Sequence, residues 1–67
     1  MNNLLLALFL YQPGTSVTII NPAQYKDCKG TIVEYTEVKN TYYYDIQLDT
    51  CSITKLKYLK DTDFSTP

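Results

Sequence analysis

An all-β domain, a small barrel of four to five antiparallel strands behind a short apolar N-terminal extension, is the fold class this sequence predicts. Three observations carry that expectation. Runs of β-branched and aromatic residues alternate with Pro, Gly and Asn at short intervals, the pattern of strands joined by tight turns. The stretch Tyr42 to Leu48 alternates with a period of two. The chain has only 67 residues, too few to shield the free edges of an open sheet, and closure removes those edges. Residues 1–12 form the extension on this reading, 13–64 the barrel and 65–67 a frayed tail.

The extension contains Leu4-Leu5-Leu6-Ala7-Leu8-Phe9-Leu10, well short of the about 20 apolar residues that a bilayer span requires. No Lys or Arg precedes the run, and Tyr11-Gln12-Pro13 is a poor cleavage site, so a secretory signal is not expected. Its apolar residues do not alternate with polar ones, so the segment is either buried on both sides or docked on something else. Two destinations follow: the open end of its own barrel, or a partner protein reached through Leu5, Leu8 and Phe9. A membrane surface is disfavoured beside the partner protein, because the run carries no Lys on a polar face.

Pro13-Gly14 ends whatever the extension forms, since proline restricts the residue before it and glycine permits a sharp redirection. Thr15 to Ile20 is the first strand, with Val17 and Ile19 on one side and Thr18 and Ile20 on the other. Asn21-Pro22 breaks it, and Ala23 to Lys29 is a polar loop around Tyr25. Gly30 then precedes a strand from Thr31 to Thr36, in which Thr31, Val33 and Tyr35 alternate with Ile32 and Glu34. A glycine at that position marks a bulge or a close approach of backbones. Lys39-Asn40 signals a turn within Glu37 to Thr41. Tyr42, Tyr44, Ile46 and Leu48 form the core face of the next strand, leaving Tyr43, Asp45 and Gln47 on the other face. Asp49-Thr50 turns the chain, Ser52 to Lys57 is a shorter strand with Ile53 or Leu56 inward, and Tyr58 to Phe64 is a one-turn helix or a closing strand.

Composition narrows the function classes. A domain of this size buries only about 60% of the surface its unfolded chain exposes, so no large enclosed active site is expected. The formal charge is −1 and the pI about 5.0, against the basic balance typical of phosphate-backbone binders. Arginine is absent, which removes the side chain best shaped for bidentate contacts to guanine or phosphate. Histidine is absent too, so a serine or cysteine nucleophile would lack its usual base. Asp45, Asp49, Asp61 and Asp63 suit solvation or capping. They have no cleft for paired-carboxylate chemistry, and Asp61-x-Asp63 lacks the glycine and distal glutamate of a calcium loop. No catalytic residue, cofactor or metal is therefore expected.

Cys28 and Cys51 lack the paired spacing of a zinc site. Two reduced thiols in an intracellular protein are the expectation. A disulfide requires the loop before Gly30 and the turn after Asp49 to meet within about 7 Å between Cα atoms.

Pro13-Gly14-x-x-Val17-x-Ile19, a loop, Lys29-Gly30-x-Ile32-Val33 and the alternating strand ending at Leu48 resemble the KOW and related SH3-like barrels of translation and transcription factors. The same order of Pro-Gly, Val-x-Ile, Asn-Pro and a later Gly is similar to small SH3-like accessory subunits of cyanobacterial and plastid electron-transfer complexes. The likeness covers residues 13–64 and implies no catalytic residue. It departs from both families, since the last third lacks a Trp-rich ending and the basic content of KOW modules is missing.

The seven tyrosines are the candidate contact surface, because a rigid apolar ring with a hydroxyl tip concentrates at the energetic centres of interfaces. Tyr42 and Tyr44 are expected to fill the barrel with their hydroxyls at its rim, and Tyr35 could occupy either side of its strand. Tyr25, in a loop, and Tyr43, on the outer parity, are expected to face a ligand. The SH3-like resemblance implies an aromatic groove for an extended peptide.

The chain is accordingly expected to be a non-enzymatic protein-interaction module, a small accessory subunit of a larger assembly or an inhibitor of a partner protein. An intracellular location, cytoplasm or plastid stroma, goes with that reading, with membranes touched only peripherally through a partner. The alternative is a nucleic-acid or ribosome contact through Lys26, Lys29, Lys55 and Lys57, joined by Lys60. An arginine-free composition rich in Asn, Tyr and Ile also suits the AT-rich genome of a phage, which makes a virion component a third reading.

Overall fold

A computed structural model of the chain describes residues 10–67. Five strands, β1 (Ser16–Ile19), β2 (Lys29–Val38), β3 (Thr41–Leu48), β4 (Lys55–Leu59) and β5 (Phe64–Ser65), form one sheet, with single 3₁₀ turns η1 (Ala23–Tyr25) and η2 (Asp61–Asp63) in the connections. The strand order is β4-β3-β2-β1-β5, and every neighbouring pair is antiparallel. The all-β expectation and the strand number hold. Closure into a barrel does not: β4 and β5 are the two edges, and no ladder joins them. The two residues of β5 pair with Thr18 and Ile19 of β1, leaving it no length to run back along β4. The β4 edge is guarded by other means, the charged Lys55 and Lys57 and a bulge next to Tyr58.

Turn chemistry fixes how the strands begin. Pro13 and Gly14 occupy the centre of a type II turn, in which the Thr15 amide donates to the Gln12 carbonyl at 3.2 Å and Gly14 has φ +96°. The Gly14 amide then donates to the Ile32 carbonyl at 2.8 Å, and the Ile32 amide to that of Thr15 at 2.9 Å, so the turn delivers β1 onto β2. A Cβ at Gly14 would meet nothing within 4 Å, which isolates the backbone cost of its conformation. Gly14→Ala is expected to lose about 1–2 kcal/mol in urea unfolding. A loss near zero would mean that the turn relaxes to another type.

The β2–β3 hairpin closes through Lys39 (φ 50°) and Asn40 (φ 68°), flanked by the pair Val38↔Thr41. Positive φ at both central residues is a type I′ loop, whose twist matches that of the strands. The strands therefore continue right up to the two-residue loop, and β2 extends beyond the expected end at Thr36 to Val38.

Val17, Ile19, Cys28, Ile32, Tyr44, Ile46, Leu48, Leu56 and Phe64 make up the core. The expected core face of β3 is buried, except that Tyr42 is only half-buried, and in β1 the side of Val17 and Ile19 is the inward one. Of the pair Ile53 or Leu56, Leu56 is inward, and Ile53 is 94% exposed in the loop before β4. The parity assumed for β2 holds only to Ile32. Pairing jumps from Ile32↔Ile46 to Glu34↔Asp45, so a bulge at Val33 reverses the faces beyond it. Tyr35 consequently lies opposite Tyr44, on the face that Ile32 occupies.

The reduced-thiol expectation is overturned: Cys28 and Cys51 form a disulfide, with Cα atoms 6.0 Å apart. Backbone bonds bring the two segments together. The amides of Asp49 and Thr50 donate to the Lys29 carbonyl at 2.8 and 3.3 Å, and the Lys29 amide returns a bond to Thr50 Oγ1 at 2.9 Å. Gln47 Nε2 donates to the Ile53 carbonyl at 2.8 Å and pins the far side of the loop. Such a bond is unusual in the cytoplasm, which counts against the intracellular expectation. Among the described residues no helix is long and apolar enough to cross a membrane. Leu5, Leu8 and Phe9 lie outside the described residues. Leu10 and Tyr11, which follow them, are half-buried and pack against the core.

Candidate functional site

The β2–β3 hairpin runs past the core, and Val33 to Val38 are exposed along it. Its inner face overhangs η2, and between the two lies a cleft of about 400 Å³. Tyr42 and Tyr44 line it, Glu37, Asn40 and Thr41 come from the hairpin, and Lys60 and Asp61 come from the opposite side. The pairs Tyr35↔Tyr44 and Glu37↔Tyr42 put all four side chains on the same face. The Tyr35 ring stands edge-on to that of Tyr42, centroids 5.8 Å apart at 80°, and is 6.5 Å from that of Tyr44.

This cleft has a rigid base. The Tyr44 ring is only 1% exposed and packs edge-to-face on Phe64 at 5.4 Å and Tyr11 at 5.9 Å. Tyr11 and Phe64 complete the triangle at 5.5 Å. The Tyr11 amide donates to Tyr44 Oη at 3.3 Å. On the other wall, η2 is fixed at both ends. The Lys60 amide donates to Asp63 Oδ2 at 2.9 Å, the capping role foreseen for Asp61 or Asp63. The Asp63 carbonyl accepts from the amides of Ile20 and Asn21 at 2.8 and 3.0 Å.

Burial pushes the Tyr44 phenol above its usual value of 10.0, and the negative charge of Asp61 adds to the rise; the Tyr11 N–H partly opposes it. The folded state thus holds this proton more tightly than the unfolded chain does. The resulting stabilisation is fully present below about pH 10 and is lost as pH rises through the raised folded value. Tyr44→Phe, which keeps the ring and cannot ionise, is expected to fall less steeply in urea stability across that alkaline window than the wild type. Parallel curves for the two proteins would refute the assignment.

The two tyrosines singled out for ligand contact are not in this cleft and do not meet. Tyr25 lies in η1, half-buried against the core, and its hydroxyl accepts from Gln24 Nε2 at 3.3 Å. Tyr43 is on the outer face, opposite Thr36, with its ring edge-on to Tyr58 at 6.4 Å. Beside it Tyr58 has φ 60°, and its amide donates to Asp45 Oδ1 at 3.2 Å across the β3–β4 bulge. Of the tyrosines considered for barrel filling, Tyr42 and Tyr44 line the cleft, and the Tyr35 ring stands beside them. Tyr44 does sit in the core, but Tyr42 is half-buried and Tyr35 is 39% exposed. The bulge at Val33, which a period-two count does not register, decides between the two sides left open for Tyr35.

The four lysines of the nucleic-acid alternative are divided between two regions. Lys26 follows η1, and Lys29 opens β2 with its ammonium donating to Thr18 Oγ1 at 2.9 Å. Lys55 and Lys57 lie on the opposite edge strand, β4. Asp49 intervenes, its carboxylate accepting from Thr31 Oγ1 at 2.8 Å. Among the described residues no group of three or more His, Cys, Asp or Glu side chains is placed to hold a metal ion. Comparison with known proteins gives this chain no matching family model, no matching curated protein and no matching solved structure.

Proposed function

We propose that this chain is a non-enzymatic protein-interaction module of SH3-like type, a small subunit of a larger assembly that takes an extended segment of its partner into the cleft between the β2–β3 hairpin and η2. The observation that carries the reading is the aromatic floor: Tyr42 and Tyr44 line a cleft of about 400 Å³ on a base fixed by Phe64 and Tyr11. Rigid tyrosines present a large contact area at a low cost in conformational entropy, and a narrow groove beside a hairpin suits a chain without secondary structure of its own. Support for an SH3-like identity comes from five short antiparallel strands in one sheet with a 3₁₀ turn before the last.

Size-exclusion chromatography of a lysate from the source cells, followed by immunoblotting, tests the proposal. The wild type is expected to elute with a larger assembly and Tyr42→Ala to elute as a free domain, with an unchanged circular dichroism spectrum and disulfide. Co-elution of Tyr42→Ala with the assembly would remove the cleft from the function.

A further inference from the structure

We infer that the cleft receives a cationic side chain, an arginine of the bound segment, against the ring of Tyr42, beside which the Tyr35 ring stands edge-on, with Glu37 and Asp61 supplying the countercharge. This rests on the reading of the cleft as a peptide site and adds the chemistry of its occupant.

The argument is one of complementarity. Two carboxylates, Glu37 and Asp61, outnumber one ammonium, Lys60, in the lining. The carboxylates of Asp45, Asp49 and Asp63 accept hydrogen bonds from the chain itself; those of Glu37 and Asp61, like those of Asp27 and Glu34, accept none among the described residues, and of these four only Glu37 and Asp61 line the cleft. They line the cleft from different elements, the hairpin and η2. The same lining holds the rings of Tyr42 and Tyr44, and the negative face of such a ring attracts a cation. The Tyr35 and Tyr42 rings meet at 80° with centroids 5.8 Å apart, so a flat guanidinium can stack on one face while its N–H groups reach a carboxylate. A neutral or acidic occupant would meet the same rings but leave the carboxylates unanswered.

Each contact is modest at a partly exposed site. A cation–π contact and an exposed ion pair are each worth about two- to fivefold in affinity, so together they give roughly tenfold. The test uses the full chain, isotopically labelled, titrated with N-acetyl-arginine N-methylamide and with the citrulline analogue, its neutral isostere, while NMR signals of Tyr35, Tyr42 and Glu37 are followed. Saturable shifts confined to the cleft, with arginine about tenfold tighter than citrulline, are expected. Glu37→Gln is expected to weaken arginine about two- to fivefold and leave citrulline unchanged. Equal binding of the two probes, shifts scattered over the surface, or no saturable shift at the cleft would overturn the cation site. The two proposals fail separately. An assembly that persists in Tyr42→Ala overturns the peptide site, whereas one that dissociates while the two probes bind alike overturns the arginine alone.

Discussion

Reduction of the Cys28–Cys51 bond is expected to cost the domain about 3.5 kcal/mol, the value that loop-closure entropy assigns to a cross-link across 23 positions. Few other single changes approach this. A domain this small has a stability towards the low end of the usual range of about 5–15 kcal/mol, so the bond supplies a large share of what keeps it folded. The thermal midpoint is expected to fall by on the order of 20 °C. Cys51→Ser is the cleaner variant, because Cys51 is exposed whereas Cys28 is 4% exposed and part of the core. Urea unfolding of Cys51→Ser and of reduced wild type is expected to agree within experimental error. A cost below about 1 kcal/mol would mean that the bonds from Asp49, Thr50 and Gln47 already close this loop without the sulfurs. Gly30↔Leu48 lies at the disulfide end of the hairpin and Glu37↔Tyr42 at the cleft end. Tyr35 and Tyr42 signals in the fraction that stays folded are therefore expected to be insensitive to reduction.

Strands whose faces differ in polarity were legible from sequence; features requiring two distant segments to meet were not. Val17 and Ile19, and Tyr44, Ile46 and Leu48, announce their core faces because alternation and burial are the same signal in a one-sided sheet. Pro13-Gly14 and Lys39-Asn40 announce their turns because their conformations are local properties of those residues. The bulge at Val33 is not local. The adjacent apolar pair Ile32-Val33 interrupts the alternation without saying which strand face follows, and the match of β2 to β3, with Asp45 opposite Glu34, inserts the extra residue. That single shift puts Tyr35 beside Tyr42 and Tyr44, whose shared face the alternation of β3 had already marked. The disulfide was hidden for a similar reason. The spacing of two cysteines does not reveal that Asp49 and Thr50 will hydrogen-bond to Lys29 and carry Cys51 to Cys28. Failure to close has a third cause: η2 turns the chain after β4, and the two residues of β5 pair with Thr18 and Ile19 of β1 rather than with β4, a placement no local pattern announces.

Gly30→Ala is the second change of large expected effect, and two opposing terms decide its sign. Alanine restricts the unfolded chain more than glycine, which favours folding by about 0.4–1 kcal/mol wherever the native backbone suits it. Gly30 has no left-handed φ to forbid alanine. The space forbids it instead: a Cβ would lie 2.7 Å from Ile46 Cγ2 and 2.9 Å from the Gln47 carbonyl oxygen. Neither neighbour yields easily. Ile46 is fully buried, and Gln47 lies in the β2–β3 ladder opposite Thr31. The strands would have to separate where β2 is held on both sides, by Val17 and by Leu48. Overpacking of a tight core costs about 1–3 kcal/mol, and contact with fixed backbone places this site at the upper end. A net loss of about 2 kcal/mol is expected in urea unfolding, opposite in cause to that at Gly14, where there is space and the backbone objects. Ile46→Leu separates the two contacts, because leucine has no branch at Cβ and removes Cγ2 at a cost of under about 1.5 kcal/mol. If Ile46 is the main obstacle, Gly30→Ala in that background is expected to lose about 1 kcal/mol less. An undiminished cost would assign the clash to the Gln47 carbonyl and hence to the spacing of the strands themselves.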